Sequence, residues 1–444
     1  MDKNGATAMV DPEPKSRRRQ SSAAQGKRER AHKTSDSHPA AAWDGTKAED
    51  VDQKIRETTD TEIKKQPDTK EEASSPESTI IIGPFQVDPT RLLGEGSYAS
   101  VCVAKHLEDG KTYACKIINE KKNMGNFVDR FLPRELKLIR KFNSERVTCV
   151  HGIFKTHNLF YIVMDHCENG DLLRYLQRRG RALEEEETRE KSLQILMGIR
   201  YLHEEQQIAH RDLKCENILI DSSSKLKLGD FGFARSVLPL ADSSEMDQNE
   251  IREIREFMRS EVGTLSCLKA PTRSRRASEK AALSNEIARL NDKAPAVSSS
   301  GTTSTTSTQR SPKGTAVSGQ HPVASSTFCG SVAYAAPEVL SRKSYDPKKY
   351  DMWSTGVIIF IMACFFMPFD DSDQAKMVRR QMAKKWRYPQ DAQISEPLKE
   401  FLEGMMEPNP KDRHSISDAL RHKWLRRQYR EVLLEEQKNE QSRA

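Results

Sequence analysis

The stretch "IAHRDLKCENILI", residues 208–220, places a histidine, an arginine, two acids, a lysine and an asparagine between two apolar runs. Eighteen residues after Asp212 stands Asp230, within "LGDFGFA". A loop that only faces solvent seldom combines such dense charge with apolar flanks and ordered spacing, whereas functional residues often lie on loops held by a rigid scaffold. The stretch therefore predicts a functional loop between two apolar runs.

Upstream, "GEGSYASV" supplies Gly94 and Gly96 after a strand-like run, and "YACKI" supplies Lys116 on the next strand. Glycines let backbone N–H groups approach phosphate oxygens, and a lysine offers a point charge to phosphates. Carboxylate and amide oxygens suit Mg²⁺, and a second carboxylate can accept the proton of an attacking hydroxyl. Taken together, these fragments indicate chemistry on a phosphoryl group.

The composition limits the other classes of function. The chain has 444 residues, of which 36% are hydrophobic and 31% charged, and a net charge of +7, too small at this length to predict a nucleic-acid partner. The eight cysteines form no CxxC pair, which is typical of reduced thiols in the cytoplasm, with the nucleus left open as a second location. The longest apolar run, "VIIFIMACFFM" at 357–367, is too short to span a membrane.

The order of patterns along the chain predicts its organisation. Residues 1–83 mix Pro, Ser, Ala and charges and are expected to be disordered. Strand patterns then give way to helical ones across 84–426, which favours two lobes, and 427–444 is expected to be a tail. The fold class is therefore predicted to be α+β.

One segment, 236–326, interrupts this order as a long insertion. Met246, Ile251, Ile254 and Met258 are spaced to line one face of a short helix. The run "SSSGTTSTTST" that follows at 298–308 has low complexity and is expected to be disordered. Long insertions of this kind usually serve function or regulation, or act as linkers.

With "TFCGSVAYAAPEVL" at 327–340 added to these motifs, the chain resembles the eukaryotic serine/threonine protein kinases, and most closely the testis-specific serine/threonine kinase family of the calmodulin-dependent kinase-like group. The resemblance implies a two-lobed fold, with a small five-stranded antiparallel β lobe over a larger helical lobe. It implies ATP and Mg²⁺ in the cleft, and transfer of the γ-phosphoryl group to Ser or Thr hydroxyls.

The resemblance also assigns residue roles. Asp212 becomes the catalytic base and Lys214 neutralises charge on the transferred group, while Lys116 pairs with Glu135, for which Glu145 is the alternative. Asn217 and Asp230 are expected to hold Mg²⁺, Glu338 to pair with Arg413, and Asp351 to brace the catalytic loop. The nucleotide pocket is expected to comprise Gly94, Glu95, Gly96, Val101, Ala114, Lys116, Met164, Cys167 and Asp171. The third glycine of the family's phosphate loop is Ala99 here, and ATP binding is expected to survive this departure.

Substrate choice and regulation can be predicted one step further. Asp171 and Glu216 match family positions that receive an arginine three residues before the acceptor, although Asp171 can alternatively contact the ATP ribose. A phosphate on Thr327 would pair with Arg211 and order the activation segment; the alternative is a threonine that only hydrogen-bonds locally.

The insertion also carries "RRAS", which makes Ser278 a candidate for autophosphorylation, as is Ser21 in "RRRQS"; a basic solvated loop is the alternative. The expected partners are protein substrates with basic residues near the acceptor and an upstream activating kinase, with neither nucleic acid nor membrane. The oligomeric state stays open, and spermatogenesis is the role that the resemblance implies. A pseudokinase or scaffold that binds partners through its N-terminal region and insertion is the alternative function, against which the intact catalytic set argues.

Overall fold

The computed structural model describes residues 79–96, 99–121, 132–237, 245–268, 273–291, 331–389 and 394–442. The predicted disorder of 1–78 and of 298–308 lies outside these residues, as do Ser21 and Thr327. The first strand begins at Ile80, so the chain enters the fold before the predicted start at residue 84.

The first lobe is an antiparallel sheet with one helix. Its elements are β1 (Ile80–Ile82), β2 (Phe85–Glu95), β3 (Ala99–His106), β4 (Thr112–Asn119), α1 (Leu132–Ile139), β5 (Val150–Thr156) and β6 (Leu159–Asp165). Successive residues of a strand face opposite sides. Ile162 therefore packs in the core that contains α1, while its neighbours Tyr161 and Val163 pack with Phe85 in a second cluster on the other face.

The second lobe starts with α2 (Leu172–Arg179) and α3 (Glu185–Arg200), which continues as a π-helical turn at Tyr201–Glu205. Four short strands follow, β7 (Ile208–Ala209), β8 (Ile218–Ile220), β9 (Leu226–Leu228) and β10 (Arg235–Ser236). β7 pairs with β10 and β8 with β9, both antiparallel. These two ribbons carry the loop at 210–217 and the segment around Asp230 on their connections.

The insertion contains α4 (Glu245–Arg259), β11 (Val262–Leu265) and α5 (Arg273–Asn291). α4 includes the stretch predicted to be a short helix, and Ile254 on it is buried. β11 and α5 were not predicted. β11 pairs with β5, which gives the sheet the order β1-β2-β3-β4-β6-β5-β11. The expected number of five strands was therefore wrong: β1 and β11 bring the described sheet to seven.

The remaining helices are α6 (Pro337–Leu340), α7 (Pro347–Cys364), α8 (Gln374–Met382), α9 (Glu396–Met405), α10 (Ile416–Arg421) and α11 (Arg426–Ser442). α7 contains most of the long apolar run and is buried along nearly its whole length. α11 covers most of the predicted tail, with Tyr429 and Leu433 buried. None of the helices in the described part of the chain is both long and apolar enough to cross a membrane. The α+β fold of two lobes is confirmed.

Candidate active site

A partly buried lysine links the two lobes by ion pairs. Lys116 lies on β4, and its Nζ is 2.8 Å from Glu135 on α1 and 3.2 Å from Asp230. Burial alone would lower the pKa of Lys116, but the two carboxylates outweigh it and raise that pKa. The pKa of Asp230 is lowered, chiefly by the charge of Lys116. Lys116 and Asp230 are therefore both charged at neutral pH and available to anionic phosphate and metal.

The loop at 210–217 is held by one carboxylate of α7. Asp351 accepts hydrogen bonds from the backbone N–H groups of His210 and Arg211 and from Nε2 of His203, each at 2.8 Å. Arg211 has a φ of 67°, a left-handed conformation that is rare for a residue with a side chain. The two backbone bonds to this buried acceptor keep the loop in this conformation, and the bond from His203 holds the acceptor in place.

In this conformation of the loop, the carboxylate of Asp212 lies beside the side-chain nitrogens of Asn217 and Lys214. Nδ2 of Asn217 donates to the backbone oxygen of Asp212 at 2.7 Å and to its Oδ2 at 3.1 Å. Nζ of Lys214 lies 3.3 Å from the same Oδ2. A carboxylate fixed in this way can accept a proton from a hydroxyl placed against it, while the lysine offers positive charge to a neighbouring anion.

The "DFG" turn directs Asp230 towards Lys116. Asp230 has a φ of 53°, and the next residue, Phe231, is buried against Phe142 at 4.6 Å and His210 at 5.1 Å between ring centroids. The His210 ring also bonds the Gly229 carbonyl at 2.9 Å through Nε2. Packing of the apolar ring inwards turns the neighbouring carboxylate outwards. Sequence reasoning missed the contact of this ring with Phe142 and His210. The signal that could have indicated Phe142 is its helical spacing from Leu136 and Ile139.

The strand register brings the predicted pocket residues together. Val101 lies opposite Gly94 on β2 and opposite Lys116 on β4. Ala114 lies opposite Met164 on β6. Gly96 closes the glycine turn by donating its N–H to the Ala99 carbonyl at 2.9 Å, so alanine at this position is compatible with the turn. The remaining predicted pocket residues are Glu95 at the end of β2, Cys167 just after β6 and Asp171, which caps α2.

A buried ion pair between Arg413 and Glu338 fixes the position of α6. Arg413 donates from Nη1 and Nη2 to the two oxygens of Glu338 at 2.7 and 2.9 Å. The guanidinium also lies 5.0 Å from the ring centre of Trp353 on α7. This pair anchors α6, and with it the end of the activation segment, to the helical lobe.

Of the three residues predicted to be regulatory, the structure describes the side chain of Arg211 alone. Arg211 is buried and donates from Nε to the Phe233 carbonyl at 3.0 Å, which joins the catalytic loop to the start of the activation segment. The backbone of Ser278 lies within α5, and Thr327 lies outside the described residues. The alternative partner for Lys116, Glu145, is an exposed residue 4.0 Å from Lys225.

Comparisons with known proteins agree with this geometry. The family model for the protein kinase domain matches residues 87–265 and 313–425, on both sides of most of the insertion. The chain therefore belongs to the protein kinase family and is a serine/threonine protein kinase.

Among its relatives, the testis-specific serine/threonine-protein kinase 1 of Mus musculus is 33% identical over 75% of this chain and 70% of its own length. The testis-specific serine/threonine-protein kinase 3 of the same species is 31% identical over 79% of this chain and 98% of its own length. CBL-interacting serine/threonine-protein kinase 7 of Arabidopsis thaliana is 28% identical over 82% of this chain.

Proposed function

We propose that this kinase transfers the γ-phosphoryl group of ATP to serine or threonine in proteins that carry an arginine three residues before the acceptor. The observation that supports this preference is a pair of carboxylates beside the catalytic loop. Asp171 caps α2, which packs against the turn at Cys215–Asn217, and its backbone pairs with that of Leu219 just beyond the turn. Oε2 of Glu216, within the same turn, lies 3.4 Å from the Tyr334 hydroxyl. Both carboxylates therefore flank this loop, where we expect them to bind a guanidinium.

The chemistry of the donors fits ATP and Mg²⁺. Asn217 contributes an amide oxygen and Asp230 a carboxylate, and hard oxygen ligands of this kind are those that Mg²⁺ takes in proteins alongside substrate phosphates. Such an ion would neutralise charge on the phosphates. Lys116 would bind the phosphates, Asp212 would accept the hydroxyl proton, and Glu135 would hold Lys116 in place. With this set complete, we favour catalysis over a scaffold.

The arginine preference is tested with two peptides that differ only by Arg or Ala three residues before the serine. We expect Glu216→Gln and Asp171→Asn each to reduce the ratio of kcat/KM values for the two peptides about tenfold, because each removes one charge-assisted contact. Glu108→Gln, a neutralised exposed acid on the other lobe, is the matched control. An unchanged ratio in both variants would contradict the arginine preference and would favour the alternative that Asp171 contacts the ATP ribose.

Activation by an upstream kinase at Thr327 is part of the same proposal. A phosphate there would pair with Arg211, which already links the catalytic loop to Phe233. We expect Thr327→Ala to lower activity roughly tenfold, a usual size for such a coupling, and the neighbouring Ser325→Ala to leave it unchanged. Full activity of Thr327→Ala would end this part of the proposal.

Autophosphorylation at Ser278 follows from the arginine preference, since Arg275 stands three residues before it. The first turns of α5 must open before an extended segment can enter the cleft, and helix ends open locally at small free-energy cost. Mass spectrometry of the active protein and of Asp212→Asn, expressed alike, should show phosphate at Ser278 and at Ser21 only in the active protein. Equal phosphate in both would assign it to another kinase.

The names of the relatives support a role in spermatogenesis, and we propose a cytoplasmic location with a nuclear fraction. Staining of testis sections for the protein is the direct test. Absence of the protein from germ cells would contradict the role in spermatogenesis and would not affect the proposed kinase activity.

A further inference from the structure

Part of the insertion folds back onto the helix that carries Glu135. α4 packs against α1, and Ile254, Phe257 and Leu265 of the insertion are buried in the same core as Leu132 and Leu136 of α1. The apolar face predicted for this stretch therefore has a partner, and that partner is an element of the active site.

Two ion pairs strengthen this contact at the C-terminal end of α1. Nη2 of Arg140, a buried residue that directly follows α1, lies 2.8 Å from Glu253. Nζ of the next residue, Lys141, lies 2.7 Å from Glu250. The Arg140 carbonyl also accepts a hydrogen bond from the N–H of Leu268 at 2.9 Å. The insertion thus holds the end of α1 by side chains and by backbone.

The same part of the insertion is also bound to the β-sheet of the first lobe. β11 pairs with β5 over four residues. Lys155 on β5 is buried and donates from Nζ to the Met258 carbonyl of α4 at 2.5 Å. Phe257 meets Phe160 of β6 edge to face, with ring centroids 5.9 Å apart. Segment 245–268 therefore connects α1 to the sheet that carries Lys116.

We propose that segment 245–268, which we call the α1 clamp, is a built-in positioning element that keeps Glu135 within reach of Lys116. Glu253 and Phe257 are its positioning residues, and they act through α1. Because the clamp belongs to the activation segment itself, the insertion supports activity instead of blocking the cleft. The proposal needs only the kinase activity of the family and is independent of the arginine preference.

The test compares two identical substitutions on α4 in the full-length protein. Glu253→Lys places a second positive charge against buried Arg140. Glu256→Lys makes the same change at an exposed position, where the described residues show no ion pair. We expect Glu253→Lys to lower kcat/KM for ATP about tenfold with a generic protein acceptor, since a charged contact is worth about that factor. Glu256→Lys should match the wild type.

A double-mutant cycle with Glu135→Gln separates positioning from general damage. If Glu253 acts through Glu135, then Glu253→Lys should add less than about twofold once Glu135 is neutralised. Hydrogen exchange should also be faster in the amides of α1 and unchanged in those of α7. Glu253→Gln, a milder change, should give the same cycle with a smaller loss if the lysine variant folds poorly.

Three results would overturn the proposal. The first is an equal loss from Glu253→Lys in the wild-type and Glu135→Gln backgrounds, which would indicate a structural role alone. The second is the same loss from Glu256→Lys. The third is full activity and unchanged exchange of α1 in both Glu253 variants, which would show that α1 keeps its position without the clamp.

Discussion

Replacement of Asp351 by alanine should damage both stability and catalysis. The carboxylate accepts three hydrogen bonds at 2.8 Å, from Nε2 of His203 and from the backbones of His210 and Arg211, and all four residues are buried. Alanine leaves these three donors without their acceptor. Each orphaned buried donor costs about 1–3 kcal/mol, and neighbouring losses are not fully additive, so we expect a loss of about 4 kcal/mol.

The catalytic loss follows from the backbone of Arg211. Its φ of 67° is held against a strain on the order of 1–3 kcal/mol, and without Asp351 the loop can relax to an ordinary conformation. Asp212 would then move away from its productive position. A displacement of about 1 Å lowers rates roughly a hundredfold, and we expect a fall of that size in kcat.

Thermal unfolding and steady-state kinetics measure the two effects. At about 2–4 °C per kcal/mol for a domain of this size, the Tm of Asp351→Ala should fall by roughly 10 °C. Asp351→Asn, which keeps one oxygen acceptor, should lie between alanine and wild type, and Asp371→Ala, at an exposed acid, should change neither quantity. A variant Asp351→Ala with the Tm and kcat of the wild type would refute the reasoning.

Two further predictions concern stability. Arg413→Lys loses the paired hydrogen bonds to Glu338, so the urea midpoint should fall by the equivalent of about 3 kcal/mol; an unchanged midpoint would mean that the pair contributes nothing. Burial first, then His414, lowers the pKa of His422 to about 4. The unfolded chain therefore binds more protons between pH 6.5 and 4, and stability should fall as the pH falls through that range. His422→Asn, which can still accept a hydrogen bond from the backbone N–H of Trp424, should weaken the dependence of Tm on pH. The same dependence of Tm on pH in this variant and the wild type would contradict the prediction.

The catalytic loop could be predicted from the sequence because much of its structure is local. Asn217 and Lys214 reach Asp212 across five residues or fewer, so the spacing in "HRDLKCEN" nearly determines their contacts. The pairing of Lys116 with Glu135, 19 residues apart, needed the family resemblance to choose between two glutamates. The local spacing of residues and the resemblance to a family can both be obtained from the sequence alone.

The position of the insertion could not be predicted in this way. Arg140 and Glu253 are 113 residues apart, and neither belongs to a motif. β11 has only four residues, and a short apolar run does not indicate which strand it joins. α5 contacts α11, and among its described side chains only Ile287 and Leu290 are buried, which is too few to indicate a helix from the sequence. Tertiary contacts, and not local pattern, decided these elements.

The strand β11 has a consequence for the handling of the enzyme. It covers the outer edge of β5 from Ile153 to Thr156. A shortened protein without the insertion would expose that edge, and bare strand edges recruit other chains into aggregates. Removal of this unusual segment to simplify the molecule should therefore make the protein less soluble, and the intact polypeptide is the better material for crystals and inhibitor screens.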